Sequence, residues 1–273
     1  MRKPRPRGTA VDGARVSSWT SRFPGYRVAV TSGRIAKWLS RFDGGHVDIA
    51  ARVLDAVRYV THDQLDAVFR EVLRKLAGLG WDKGAKRQGK WRFAPFASGA
   101  GESGDMMLYK FKVANRLDSQ TYEEFFVHKS TLLRHDLGPD DTVVFFDDIS
   151  GSGDQAAEHW SELRELLPRG PRVFLVLFAV STHARTKILA ETNIKLIQHA
   201  ALTDKDSIFA PACTHFTDAE KQTLLTYCRR ADPRQPRGWG ECGFVIVFAH
   251  RCPNNSIPVL HARNRRWTGL FER

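Results

Sequence analysis

Three sets of apolar residues at helical spacing lie in the first third of the chain. The first falls within residues 35–42 and ends at a glycine pair, the second covers 49–60, and the third covers 61–76. The third set opens with Thr61-His62-Asp63-Gln64, in which a threonine and a glutamine three residues later form a capping box. We therefore predict a helical segment over residues 33–88.

From residue 89 onwards, short apolar runs alternate with amphipathic segments. The apolar runs are 91–96, 143–147, 173–180, 194–198 and 243–249, and helices are predicted near 104–116, 119–134, 154–167, 183–191 and 217–230. This alternation predicts an α/β domain over residues 89–273, with a mostly parallel sheet flanked by helices. Ligands of such sheets bind beyond the carboxyl ends of the strands.

Residues 1–32 are rich in Arg, Pro, Gly and Ser without periodicity, so we predict a flexible basic arm. The chain has 42 Lys and Arg against 30 Asp and Glu, a formal net charge of +12. The excess is concentrated before residue 35 and in a second basic stretch, Arg263, Arg265, Arg266 and Arg273. Such arms favour RNA or DNA through counterion release, although a solvated tail that aids solubility explains them equally simply.

The four cysteines form no CxxC pair and show no zinc-type spacing, so we expect buried thiols in a reducing compartment. No apolar run reaches the ~18 residues that span a bilayer, and the basic N-terminus lacks the apolar segment of a secretory signal. We therefore expect a cytoplasmic protein with no membrane partner.

The most informative stretch is Val143–Gln155, an apolar strand followed by two acids and a turn of small residues. Asp147 and Asp148 follow the strand and can accept hydrogen bonds from vicinal hydroxyls. Gly151 and Gly153 allow the backbone to bend towards an anion, and the N-terminus of the following helix offers free N–H groups to a phosphate. The pattern predicts a site for a ribose and a phosphate.

Two other nucleotide-binding motifs resemble parts of this outline. An ordinary P-loop is excluded, because the glycine-rich stretch 99–104 is followed by Asp105 and not by the required lysine. The spacing Gly151-x-Gly153-x-x-Ala156 matches the dinucleotide fingerprint, but the next strand ends in Ala179-Val180-Ser181-Thr182 without the expected acid.

The stretch 143–155 resembles the motif with which phosphoribosyltransferases bind phosphoribosyl pyrophosphate (PRPP). Asp147 and Asp148 match its acidic pair, Gly151-Ser152 its usual Thr-Thr, and Gly153 its glycine. Two positions depart from the motif: Asp154 places a carboxylate where the 5′-phosphate is expected, and Gln155 replaces the closing threonine.

The resemblance extends over residues 33–273. Strand 91–96 with its following loop stands where these enzymes hold pyrophosphate, and Cys252-Pro253-Asn254-Asn255-Ser256-Ile257-Pro258 forms a compact signature later in the chain. With the helical start Trp38-Leu39…Phe42, these features resemble the phosphoribosyltransferase-like family of bacterial conflict systems, PRTase-CE. This resemblance implies an effector in antiviral defence. A retron reverse transcriptase or another defence-operon protein is then an expected partner.

The predicted catalytic residues are Asp147 and Asp148, which would contact the ribose hydroxyls and favour positive charge at the anomeric carbon as pyrophosphate leaves. The predicted substrate- and phosphate-binding residues are Ser150, Gly151, Ser152, Gly153, Asp154, Gln155, Ser98, Gly99, Gly101, Ser103, Asn254 and Asn255. Mg²⁺ is expected with the pyrophosphate, and no side chain is predicted as its direct ligand. For the loop 98–103 a plain connector, and for the Asn pair a structural turn, are the competing interpretations.

Three functions stay open from the sequence. The chain could be an enzyme that acts at the anomeric carbon of PRPP or a nucleotide. It could instead be a catalytically inactive module that senses such a ligand and regulates a partner, which the changes at Asp154 and Gln155 favour. The third hypothesis is an adaptor that binds nucleic acid through its basic arms.

Overall fold

A computed structural model describes residues 11–84, 86–96, 103–168 and 170–273. The chain divides into two compact units. Unit 1 contains the described residues up to His62 together with residues 203–273, and unit 2 contains residues 63–202. This division differs from the boundaries predicted at residues 32 and 88, because unit 1 is assembled from segments that are distant in the sequence.

The described residues contain nine helices, six strands and several short 3₁₀ turns. The helices are α1 Gly13–Arg22, α2 Ser32–Leu39, α3 Val47–Ala56, α4 His62–Gly78, α5 Ser103–Ala114, α6 Asp154–Leu166, α7 Thr182–Glu191, α8 Asp218–Ala231 and α9 Pro258–His261. The strands are β1 Arg58–Val60, β2 Trp91–Pro95, β3 Thr142–Ser150, β4 Arg172–Ser181, β5 Lys195–Leu202 and β6 Ile246–Phe248. No helix within these described ranges combines the length and apolarity needed to cross a membrane.

Unit 2 is built on a four-stranded parallel sheet in the order β2-β3-β4-β5. The inner strands β3 and β4 are buried along almost their whole length, which explains their continuous apolar sequences. On one face, Phe146 packs against Phe69 of α4 and Phe111 of α5. On the other face, Phe145 belongs to a cluster that includes Trp160 of α6 and Ile188 of α7. The predicted α/β architecture, a parallel sheet flanked by helices, is confirmed.

The sequence predicts a helix over residues 119–134, where the structure has two short 3₁₀ segments, Gln120–Phe125 and Lys129–His135. The residues between them pair with the edge of β2, because the Val127 amide donates to the Phe93 carbonyl at 2.9 Å. This tertiary hydrogen bond competes with the helical one and interrupts the predicted helix.

Unit 1 contains a two-stranded parallel sheet of β1 and β6, with Arg58 opposite Ile246. The sequence predicts residues 243–249 as a strand of the main sheet, but the strand that forms there, β6, belongs to the separate two-stranded sheet. The sequence also predicts residues 57–60 as helix, whereas residues 58–60 form strand β1. Helix α3 ends at Ala56, and Val57 turns the backbone towards an extended conformation. The short β1 then offers β6 a partner that no local pattern indicates.

The structure also differs from the flexible arm predicted over residues 1–32, since residues 13–22 form α1. Trp19 is completely buried, and its Nε1 donates to Asp55 Oδ1 at 2.7 Å. The guanidinium of Arg15 pairs with the same Asp55 at 2.5 Å, and Arg22 donates to the carbonyl of Val57. These arginines hold the unit together, so fewer of the arm's charges face a nucleic acid than the sequence predicts. Residues 1–10 lie outside the described residues.

Candidate functional site

Strand β3 carries both predicted acids close to its carboxyl end. Asp147 and Asp148 are only 6% and 4% exposed. Ser103, the first residue of α5, donates its hydroxyl to Asp147 Oδ1 at 2.6 Å. Backbone amides complete the arrangement, because the Asp148 N–H donates to Asp147 Oδ1 at 2.9 Å and the Ile149 N–H to Asp148 Oδ1 at 2.8 Å. Ser103, predicted from a separate loop, therefore belongs to the same site as the acids.

The two carboxyl groups share a poorly solvated environment. Burial raises the pKa of the Asp147 carboxyl, and the neighbouring charge of Asp148 raises it further, against the lowering effect of the Ser103 hydrogen bond. A second charge on this pair is unfavourable without a partner. The site therefore favours a protonated Asp147 in the free protein, and further hydroxyl donors or a cation would favour its charged form.

The turn after β3 is attached to the start of α7. Ser181, the last residue of β4, donates its hydroxyl to the Gly151 carbonyl at 2.5 Å and accepts a hydrogen bond from the Ala184 amide at 2.8 Å. Within the turn, the buried Ser152 accepts a weak hydrogen bond from the Asp154 amide at 3.3 Å. The sequence prediction did not include Ser181, whose only local signal is its position as a helix N-cap.

Gly153 is required by its backbone conformation and by its neighbours. Its φ of +83° is left-handed, and a Cβ atom built there would lie 3.0 Å from the Ala184 Cα and 3.1 Å from its carbonyl oxygen. The glycine allows the turn to pack closely against α7, and it does so without any anion being present.

We predict that Gly153→Ala destabilises the protein by about 1–3 kcal/mol, since the left-handed conformation and the contact with α7 both oppose a side chain. Gly170→Ala is the matched control, because Gly170 also has a left-handed φ of +65° but nothing within 4 Å of its Cβ position. Urea unfolding of both variants measures the difference. Equal destabilisation of the two would contradict the proposed packing against α7.

Asp154, the departure from the motif, forms an ion pair with Lys187 of α7. The Lys187 Nζ lies 2.5 Å from Asp154 Oδ1, and this hydrogen bond, with a smaller contribution from Ser152, lowers the pKa of the Asp154 carboxyl. The negative charge at this position is therefore compensated. The sequence prediction missed Lys187, because its partner lies 33 residues earlier and nothing in the local pattern distinguishes it from other helix-surface lysines.

The remaining predicted residues divide into three groups. Ser150 is partly exposed at the end of β3, and Gln155 is exposed in the first turn of α6, whose N-cap residue Gly153 has no side chain to accept a hydrogen bond. Ser98, Gly99 and Gly101 lie outside the described residues.

Asn254 and Asn255 belong to unit 1. There the Asn255 Nδ2 donates to the Trp239 carbonyl at 3.3 Å, and the Asn254 carbonyl accepts from the Trp239 amide at 2.8 Å. Both therefore support a turn around residues 239–242.

Within the part of the chain that the structure describes, no three His, Cys, Asp or Glu side chains are grouped so that they could hold a metal ion. The pair Asp147 and Asp148 supplies two carboxylates. One or two carboxylates together with substrate phosphates are a common environment for Mg²⁺. The residues present therefore fit an ion that arrives with a pyrophosphate-bearing ligand.

A parallel α/β unit with two acids near the end of an inner strand, followed by a glycine turn and a helix, is typical of phosphoribosyltransferase-like proteins. The family model PRTase-CE matches residues 35–273, and the chain belongs to this family. The resemblance inferred from the sequence is thereby confirmed. No curated protein matches the chain.

Proposed function

We propose that this protein binds the ribose 5-phosphate part of PRPP or of a nucleotide at the turn between β3 and α6. One observation carries the proposal: Asp147 and Asp148 are buried side by side near the carboxyl end of an inner strand, with the pKa of Asp147 raised. Perturbed and buried acids at such a strand end favour a binding role over a structural one.

In this proposal the two acids bind the ribose hydroxyls. The 2′ and 3′ hydroxyls of a ribose supply two donors at the spacing of neighbouring carboxylates, so they compensate the desolvation that burial imposes. Ser103 holds one Asp147 oxygen at 2.6 Å and thereby fixes the direction in which the other points. We infer that α5 and β3 together orient the ribose.

In this proposal the turn between β3 and α6 binds the 5′-phosphate. The N-terminus of α6 presents backbone N–H groups in addition to the Asp154 amide that donates to Ser152, and the partial positive charge of a helix N-terminus favours an anion. The ion pair with Lys187 compensates the negative charge of Asp154 at this turn. The aspartate that departs from the motif is therefore compatible with a bound 5′-phosphate.

In a transferase reaction, the bond between the anomeric carbon and pyrophosphate breaks while an acceptor attacks from the opposite side. The negative charge of the two acids would stabilise the positive charge that develops on the ribose ring. Asp147 or Asp148 would hold a Mg²⁺ ion that arrives with the pyrophosphate, and the ion would supply positive charge beside the leaving group.

A sensing module is the second candidate, and a specific contact favours it. One oxygen of each acid already accepts a hydrogen bond from the backbone of its own strand. Such an arrangement holds the carboxylates still and suits recognition of a ligand without turnover. In both cases we propose an effector or regulator in bacterial antiviral defence, which rests on membership of a conflict-system family.

Calorimetry with PRPP, with and without Mg²⁺, tests the binding proposal. We expect saturable binding that strengthens with Mg²⁺, and the absence of any binding would overturn the proposal. A pyrophosphate-release assay with nucleobase acceptors then separates the two candidates. Release by the parent protein identifies an enzyme, whereas binding without release identifies a sensor.

We predict that Lys187→Gln weakens PRPP binding by about 10- to 100-fold, because the phosphate loses a cation and meets the unpaired charge of Asp154. The double variant Lys187→Gln/Asp154→Asn is the control, and it should recover part of the affinity. Calorimetry at two salt concentrations measures both. If the single and double variants bind equally weakly, repulsion by Asp154 is not the cause.

A further inference from the structure

Unit 1 contains an open cavity of about 490 Å³ that none of the residues discussed above explains. It lies between the end of α8 and the segment that follows α9. Its walls are formed by Ala231, Asp232, Pro233, Arg234, His261, Ala262, Arg263, Asn264 and Arg273. Three of these nine residues are arginines, and all three are exposed on the surface.

The side chains that line this cavity carry a net positive charge. Against the three guanidinium groups stands one carboxylate, Asp232, whose Oδ1 already accepts hydrogen bonds from the backbone amides of Arg234 at 2.9 Å and Gln235 at 3.3 Å. Arg263 pairs with Glu272 at 2.8 Å, yet its side chain is 77% exposed. Its remaining N–H groups are therefore accessible to a ligand.

The walls are held in place without any ligand. The Asn264 Nδ2 donates to the Ala231 carbonyl at 2.6 Å and so satisfies an acceptor at the end of α8. The Asn264 Oδ1 accepts from the backbone amides of Arg266 and Trp267. A helix C-terminus carries only about half a negative charge, so the α8 terminus together with Asp232 and Glu272 still leaves an excess of positive charge from the three arginines.

His261 forms an uncharged part of the wall. It is 8% exposed, and its Nε2 lies 3.0 Å from the Ser256 carbonyl oxygen. Burial lowers the pKa of this imidazole to about 4. The positive charge of the cavity therefore comes from the arginines alone and does not change between pH 6 and 9.

We propose that this cavity is a second binding site, specific for a small ligand that carries a phosphate or diphosphate group. Arginine is the side chain best suited to phosphate, because its planar fork donates two parallel hydrogen bonds. The cavity volume falls within the range of about 300–1,000 Å³ that small-molecule sites occupy. An open concave site of this size accommodates a small phosphorylated molecule and is too short to follow an extended nucleic-acid backbone.

The test is calorimetry of the full chain with inorganic pyrophosphate in EDTA, which removes the contribution of Mg²⁺ in unit 2, while Lys187→Gln controls for phosphate binding at the turn before α6. We expect Arg234→Gln/Arg263→Gln to weaken the affinity at least about tenfold, since two charge-assisted hydrogen bonds are lost. The matched control is Arg265→Gln/Arg266→Gln, which removes the same charge from exposed residues of the same segment outside the cavity. Thermal unfolding of both variants checks that they are folded.

Three results would overturn the proposal. The first is no pyrophosphate binding by the parent protein. The second is an equal loss in both double variants, which would indicate attraction by net charge alone. The third is a cavity variant, Arg234→Gln/Arg263→Gln, that binds single-stranded RNA more weakly than the parent protein but binds pyrophosphate equally well. Lys187→Gln should leave this pyrophosphate affinity intact, so failure at the unit 2 site remains distinguishable.

Discussion

Replacing both Asp147 and Asp148 with asparagine is expected to weaken PRPP binding by at least about 100-fold, because charge-assisted hydrogen bonds to two ribose hydroxyls are lost. The single change Asp147→Asn should at the same time stabilise the free protein at neutral pH. An asparagine keeps the acceptor for Ser103 and for the Asp148 amide, both of which contact Oδ1. It removes only a charge that the buried site disfavours.

The effect of Asp147→Asn on stability should depend on pH. Because the folded-state pKa of Asp147 is raised, the folded protein binds more protons than the unfolded one between the ordinary pKa, near 4, and the raised value. The contribution of this carboxyl to stability is thus complete below the ordinary pKa and is lost as the pH rises through that window. The asparagine variant does not undergo this loss.

Thermal unfolding at pH 5 and pH 8 measures the effect. We expect the Asp147→Asn variant to unfold about 2–4 °C above the parent protein at pH 8, with a smaller difference at pH 5. The exposed Asp140→Asn is the control, and it should change neither stability nor binding. Reduced stability at pH 8 together with unchanged PRPP affinity would indicate a structural acid pair.

Replacing Trp19 with alanine is expected to cost about 3–5 kcal/mol of folding stability, which is the range for deletion of a buried aromatic side chain. Trp19 is 0% exposed, belongs to the core of unit 1 and donates its indole N–H to Asp55 at 2.7 Å. The variant therefore loses packing and leaves a carboxylate with one donor fewer. Denaturant unfolding followed by circular dichroism measures the loss.

Trp239→Ala is the matched control for this experiment, because Trp239 is 41% exposed in the same unit. We expect it to cost less than half as much. Similar effects of the two substitutions would show that α1 does not pack as the structure describes. The arginine-rich N-terminal region would then again resemble the flexible arm that its composition predicts.

The sequence by itself determined the inner strands of the main sheet, the helices that flank them and the family. Strands β3 and β4 are buried on both faces, and burial on both faces requires the continuous apolar runs from which they are predicted. Helices α5, α6, α7 and α8 lie within one or two residues of their predicted bounds. The acids Asp147 and Asp148 were predicted as site residues because two carboxylates after an apolar strand are costly without a partner, and this role stays a prediction.

Only the tertiary structure decided what joins distant parts of the chain. The contacts Ser103 to Asp147, Lys187 to Asp154 and Ser181 to Gly151 connect residues 30 to 44 positions apart. The paired strands β1 and β6 are much farther apart in the sequence. Local periodicity reports which face of a segment is buried, but it carries no information about the partner that buries it. The arm, the division into two units and the arginine cavity all depend on such partners, and they became visible only in the folded chain.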